Sequence, residues 1–385
     1  MKNINRLDVF HNGRIVGTLA YDGKTQTSFF AYDDSWLETG FSLSPFKLPL
    51  SKKTFQADAP HLFGLHGAFY DCLPDRFGSH LIDLYLHSRG VNPNEITPFT
   101  RLALLDSYSL GGLSFRPSLR EEEALPEIDW DELHELYAMV NEQPVLNEEY
   151  ISRCCRHGSS VGGSRPKSHW RREDGLWIVK FPGPSDPPHI GKLEYDYMLA
   201  AEECGLRVAP FELIPSKKGP GYFACKRFDR REDGTSIHRI SLHGLLETNL
   251  DYPQLDYLTL LQVVSALCPR DLEQAYRLMC FNLFAGNFDD HAENFSFLYD
   301  EKEKGYRLSP AYDLTTMNGQ YHQLGFGWKD FPSHGELVDL GGRVSMRPAF
   351  CEKIIQEVSS IVRKRLSRYY DFFQRPEGKL QWTSM

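Results

Sequence analysis

The sequence predicts an α+β fold, β-rich at its N-terminus and mainly helical towards its C-terminus. Three observations carry this expectation. Short apolar runs within residues 7–32 alternate and meet at tight turns; further strand-like runs lie between 176 and 228; beyond about 250 the apolar residues recur at helical spacing. A length of 385 residues allows two or three domains.

In chain order, Leu7–Phe10 meets Arg14–Tyr21 across His11-Asn12-Gly13, a turn that suits the positive φ of a hairpin. Ser28–Tyr32 adds a third strand after Asp22-Gly23. Pro74-Asp75 can start a helix carrying Phe77, Leu81, Leu84 and Leu86. Glu121-Glu122-Glu123 and then Pro126 read as a surface connection, followed by an amphipathic helix over Trp130–Val140. Leu176–Phe181 reads as a strand, Leu193–Cys204 as a helix, and Phe211–Pro215 with Tyr222–Phe228 as paired strands. No internal repeat is visible.

Composition narrows the function classes. Hydrophobic residues make up 41% and charged residues 25%, as in an ordinary globular protein. A net charge of -9 argues against general nucleic-acid binding, which needs clustered Lys and Arg. Arg363, Lys364, Arg365 and Arg368 form a local basic group, read as the solvated face of a last helix. Among the eight cysteines, Cys154 and Cys155 with His157 could begin a metal site, but no second cluster completes it. The scattered cysteines read as reduced residues of a cytoplasmic protein. MKNINRLDVFHNG lacks the apolar run of a signal peptide, and no window approaches the roughly 18 apolar residues of a membrane span.

The segment richest in chemistry is Gly286-Asn287-Phe288-Asp289-Asp290-His291-Ala292-Glu293-Asn294-Phe295. It follows a helix bearing Leu272, Ala275, Leu278, Met279 and Leu283, which Gly286 can end. After Asn294, a strand over 295–299, a polar turn over 300–305 and a return strand over 306–308 would bring Asp313 back near Asn294. Phosphoryl transfer needs a carboxylate to take the attacking hydroxyl's proton, and an Asn and an Asp to hold Mg²⁺. Asp289 and Asn294 stand five positions apart, the spacing of a kinase catalytic loop, although His291 follows the Asp instead of preceding it. Upstream, Lys180 ends a strand and Glu194 opens the next helix, as a Lys–Glu pair for ATP phosphates requires. Before them runs Gly158–Lys167, a Gly-rich loop without the terminal G-K-[ST] of a Walker A.

At these residues the sequence resembles the HipA-like serine/threonine kinases, toxin components of bacterial toxin–antitoxin pairs. The resemblance rests on 160–167 (SVGGSRPK), 178–182 (IVKFP), 227–230 (RFDR), 289–295 (DDHAENF) and 310–313 (PAYD), and is less specific in the N-terminal part. It implies a two-lobed protein-kinase/lipid-kinase-like fold, with a β-rich domain over 1–120, a kinase N-lobe over 121–245 and a helical C-lobe over 246–385. It implies ATP and Mg²⁺ as cofactors. Asp289 would be the catalytic base, with His291 orienting the loop or contacting phosphate; Asn294 and Asp313, preceded by Tyr312, would hold Mg²⁺. Gly162, Gly163, Ser164, Arg165, Lys167 and Lys180 would face the phosphates, Glu194 would support Lys180, and Lys226 to Phe228 would meet adenine through backbone. Ser160, or its neighbour Ser159, matches the family's autophosphorylated serine. Glu293 stands where some members carry Lys, and Asp290 where some carry Gly.

The resemblance further implies a protein substrate, aminoacyl-tRNA synthetases being one substrate class of the family. It implies a small helix-turn-helix antitoxin as partner, through which any operator DNA would be met. Three other readings stay open. They are a kinase for a small molecule or lipid, a non-catalytic nucleotide- or antitoxin-binding module, and a serine hydrolase built on Gly158-Ser159-Ser160-Val161-Gly162 with His291.

Overall fold

In the computed structural model the described residues are 2–74, 76–105, 109–120, 129–142, 148–158, 165–249, 255–316, 321–326 and 331–374. The chain forms two compact units: residues 1–192 with 211–240 and 244–247, and residues 193–210 with 241–243 and 248–385.

The first unit holds two antiparallel sheets. Strands β1 (Arg6–His11), β2 (Arg14–Asp22), β3 (Thr27–Tyr32), β4 (Thr54–Gln56) and β5 (Ser114–Arg116) order as β4-β3-β2-β1-β5. The β1–β2 turn uses Asn12 (φ 47°) and Gly13 (φ 78°), both left-handed, as the Asn-Gly pair predicts. Strand β5 closes the sheet from about a hundred residues away, by pairing Val9 with Phe115.

Three helices follow the same logic of one apolar face each: α1 (Arg76–Ser88), α2 (Trp130–Glu142) and α3 (Glu148–Gly158). They share a core with the second sheet, in which Phe77, Leu81, Leu133, Tyr137, Ile151 and Cys154 meet Val179, Phe181 and Tyr222. That sheet orders β6-β7-β9-β8, from β6 (Lys167–Arg172), β7 (Gly175–Lys180), β8 (Phe211–Ile214) and β9 (Tyr222–Lys226). Two of these elements are not among the sequence expectations. Helix α3 buries a narrow face, Ile151, Cys154 and Cys155, and the Cys155 thiol donates to Leu81 O (3.2 Å). Strand β6 buries the consecutive polar residues Lys167, Ser168 and His169 on both its faces, so no apolar–polar alternation marks it in the sequence.

The second unit begins within α4 (Ile190–Glu203) and is reached again through β10 (Arg239–Ser241). It contains α5 (Tyr257–Leu267), α6 (Leu272–Ala285), the hairpin β11 (Ser296–Asp300) and β12 (Gly305–Leu308), α7 (His334–Gly342) and α8 (Pro348–Leu366). Asp256 caps α5 by accepting from Thr259 N (2.8 Å). Helix α6 is buried along nearly its whole length. It stops at Gly286, whose left-handed φ of 62° and closeness to the Tyr370 ring exclude a side chain. The basic residues around the end of α8 pair within the unit, Arg365 with Glu203 (2.5 Å) and Arg368 with Asp196 (2.5 Å). Among the described residues no helix is long and apolar enough to cross a membrane.

Candidate active site

The loop after Gly286 is built outward from a buried polar chain. Asn287 Nδ2 donates to Asn282 Oδ1 (3.0 Å), Asn282 Nδ2 to the Tyr257 hydroxyl (3.0 Å), and that hydroxyl to Asp290 Oδ2 (2.5 Å). Gln323 N donates to Asp290 Oδ1 (2.7 Å), and His322 Nδ1 lies 2.8 Å from Oδ2. Asp290 is 0% exposed, so its carboxylate is compensated by these three donors. Burial, and then the Asp290 charge, hold the Tyr257 phenol well above its ordinary pKa and keep it a donor.

Fixing Asp290 inward leaves its neighbour facing out. The Asp289 carboxylate is 40% exposed, and His291 Nε2 sits 3.8 Å from its Oδ1. On the other side of that ring, Nδ1 lies 3.8 Å from Glu293 Oε2. Asn294 closes the loop, because its Nδ2 donates to Asp289 O (2.7 Å) and its backbone N to His291 O (2.9 Å). With the amide nitrogen thus engaged, the Asn294 side-chain oxygen is the atom left to face a ligand.

The β11–β12 hairpin then returns the chain to the same place. Ser309 N donates to Ser296 O (2.8 Å), and the Tyr312 hydroxyl meets both Ser296 Oγ (2.6 Å) and Glu293 O (2.5 Å). Asp313 follows in the left-handed region (φ 53°), an uncommon conformation for which Asp is among the favoured non-glycine residues. Tyr312 therefore ties the residue before Asp313 to the residue before Asn294. A carboxylate and an amide oxygen are hard donors, the type that suits Mg²⁺. Among the described residues no group of three or more His, Cys, Asp and Glu could hold a metal, so a Mg²⁺ site here would use Asn oxygen and other ligands besides. Asp290, Tyr257 and His322 were not among the expected site residues; the paired Asp at 289–290 was their one local signal.

In the first unit, Lys180 ends β7 with its Nζ 5.4 Å from the Phe223 ring centroid. Lys167, expected in the Gly-rich loop, instead opens β6 and lies directly opposite Lys180 in the ladder. Lys167 is buried, and its carbonyl accepts from the Tyr137 hydroxyl (3.0 Å). As direct partners in the ladder, the two lysines leave the same face of the sheet. Arg165 Nε is held by Asp186 Oδ2 (2.8 Å), which also accepts from Gly183 N (2.8 Å). Lys226 Nζ lies 3.5 Å from Glu232, and Phe228 is half-buried beside Arg227 and Asp229. Ser159, Ser160, Gly162, Gly163 and Ser164 lie outside the described residues.

Glu194 requires a correction. It does not open its helix, which starts at Ile190; it is a buried residue of the second turn. Ile190 and Leu193 share an apolar face at i, i+3, which extends the helix one turn earlier than the predicted start. The hydrolase reading loses its frame as well, because a nucleophile elbow runs strand–turn–helix whereas helix α3 precedes this loop and strand β6 follows it.

Comparison with known proteins agrees with this architecture. The family model of the HipA N-terminal domain matches residues 7–116, and that of the HipA-like C-terminal domain matches 159–366. Kinase Y4mE of Sinorhizobium fredii, a provisional designation, is 32% identical over 36% of this chain, and the match spans 33% of its own length. A Haemophilus influenzae protein, also provisionally named a kinase, is 24% identical over 52% of the chain and 66% of its own length. The chain thus aligns with less than two thirds of either protein. The serine/threonine-protein kinase toxin HipA of Shewanella oneidensis is 23% identical over 79% of this chain and 73% of its own. A solved complex of Shewanella oneidensis HipA, HipB and operator DNA contains a chain that superposes with a TM-score of 0.70 at 18% identity, covering 94% of this chain and 90% of that one, a likeness of fold. With both modules matched, and the C-terminal one over more than half of its length, the chain belongs to the HipA-like family.

Proposed function

We propose that this chain is an ATP-dependent serine/threonine protein kinase. The observation that carries the reading is the loop in which Asp289 faces outward while Asn294 is tied to its carbonyl, and in which Tyr312, the residue before Asp313, is bonded to Glu293, the residue before Asn294. In this reading the Asp289 carboxylate accepts the proton of an acceptor hydroxyl as the new O–P bond forms. The bond between the γ-phosphorus and the bridging oxygen breaks, and ADP leaves. Asn294 and Asp313 would hold Mg²⁺, which supplies charge neutralisation to the phosphates when bound. His291 stands between Asp289 and Glu293, where it can orient the loop or meet phosphate.

Lys180 and Lys167 on one sheet face, with Arg165 braced by Asp186, would receive the phosphates together with Gly162, Gly163 and Ser164. Glu194 would support Lys180, and the backbone of Lys226 to Phe228 would meet adenine. These parts divide the chain, in this proposal, at 120/121 and 245/246. The acceptor would be a protein, an aminoacyl-tRNA synthetase being the class the family suggests. A small helix-turn-helix antitoxin would be the cytoplasmic partner, as the solved HipA–HipB–DNA assembly suggests.

Self-phosphorylation at Ser160, or Ser159, would add about -1.5 to -2 charge to the phosphate-binding loop and silence the enzyme. Phosphopeptide mapping after incubation with ATP and Mg²⁺ tests the reading. Label in the 159–160 loop that disappears from Ser159→Ala or Ser160→Ala supports it. Label that persists in both variants removes the self-inactivation step. ATP binding without any transfer points to a non-catalytic module instead.

A further inference from the structure

We propose that Asp290 is a positioning residue, and that its contact with His322 latches segment 321–326 to the loop carrying Asp289. The proposal rests on the kinase reading above. Asp290 gathers donors from two other parts of the second unit: the Tyr257 hydroxyl on α5, and His322 with Gln323 N beyond the hairpin. Its chain neighbour is the exposed Asp289, so the direction of that carboxylate is set by how firmly Asp290 is gripped.

His322 is an unusual choice for a packing residue. Its side chain is 0% exposed, and its ring lies among Phe288 (4.9 Å), Phe326 (5.4 Å) and Phe331 (6.1 Å). Among the described residues its Nε2 is buried without a hydrogen-bond partner, which is costly. A leucine or phenylalanine would fill the slot without that cost. The polar contact that justifies an imidazole here is Nδ1 to Asp290, which requires a proton on Nδ1. One end of the latch is thus next to Asp289. The other lies in segment 321–326, with His322 and Gln323 N both on the Asp290 carboxylate.

Two substitutions separate a latch from mere packing. His322→Asn keeps an N–H near the position of Nδ1, whereas His322→Leu keeps apolar volume and loses the donor. ATP turnover with Mg²⁺ and amide hydrogen exchange are measured on the full chain for both. A catalytic group misplaced by about 1 Å loses rate on the order of 100-fold. His322→Leu is therefore expected to lower kcat at least about 30-fold with KM for ATP changed less than about threefold, and His322→Asn to recover most of kcat. Peptides covering 288–295 and 321–326 should exchange faster in the Leu variant than in the Asn variant. Equal kcat in the wild type and the Leu variant, equal losses in both variants, or unchanged exchange in the Leu variant overturns the latch. A wild type without turnover overturns the kinase reading and the positioning role with it, and the exchange data then report the latch by themselves.

Discussion

Replacing Asp229 with Ala should destabilise the first unit more than any other single change around strands β7 and β9. Asp229 is 3% exposed and serves two buried guanidinium groups. Arg227 donates through Nε (2.8 Å) and Nη2 (2.5 Å), and Arg230 through Nη1 (3.0 Å). Burial pushes the Asp229 carboxyl pKa up, yet the Arg227 and Arg230 charges win and hold it far below the usual carboxylate range. Removing one member of a buried ion pair costs about 3–5 kcal/mol, because the partner charge stays buried. One carboxylate serving two arginines places this case near about 5 kcal/mol. For a unit of this size each kcal/mol is worth about 2–4 °C, so the melting transition should fall by about 10–20 °C. Asp229→Asn keeps an acceptor and should lose roughly half as much. Scanning calorimetry of the full chain reads both. A fall of less than about 3 °C for Asp229→Ala would show that the arginines are held by other groups, and would refute the reasoning.

Asn294→Ala removes both the Asp289 O contact and a proposed metal oxygen, so half-maximal turnover should need about tenfold more Mg²⁺, read by metal titration. Tyr312→Phe loses the bonds to Ser296 and Glu293 O and should cost about 1–2 kcal/mol in denaturant titration, with turnover falling as Asp313 loosens. Burial, with Arg156 and Arg153 nearby, lowers the His157 pKa to about 4. The unfolded chain, with His near about 6.5, binds this proton first, so the contribution is complete above about pH 6.5 and falls towards pH 4 by about 3 kcal/mol. Urea unfolding at pH 7.5 and pH 5 checks this, and equal midpoints would contradict it.

What could be read from the sequence followed local rules. Asn12-Gly13 fixed a hairpin because the turn requires left-handed backbone. The polar run 300–305 gave the β11–β12 turn, with Asp300 opposite Gly305 in the ladder. Asp289 and Asn294 stood out because their spacing is itself local. What escaped was long-range or disguised. Strand β5 is three residues long and recognisable through its partner β1. Strand β6 hides its period because the residues it buries in succession, Lys167, Ser168 and His169, are polar, Ser168 Oγ lying 3.3 Å from the His157 ring. Asp290 looked like a variable position in the motif, since its partners Tyr257 and His322 lie more than thirty residues away on either side. The glutamate expected at a helix start lies in the second turn, because buried Ile190 and Leu193, at i and i+3, carry the apolar period back to residue 190.

The most direct test is transfer of label from γ-³²P-ATP by purified wild-type chain with Mg²⁺, beside Asp289→Asn and Asp313→Asn. The account predicts label on the wild-type chain, or on an added protein acceptor, and a loss of at least about 100-fold in both variants without a change in melting temperature. Label carried equally by the wild type and Asp289→Asn, or no ATP turnover by a wild type shown by intact mass to be free of phosphate, would contradict it.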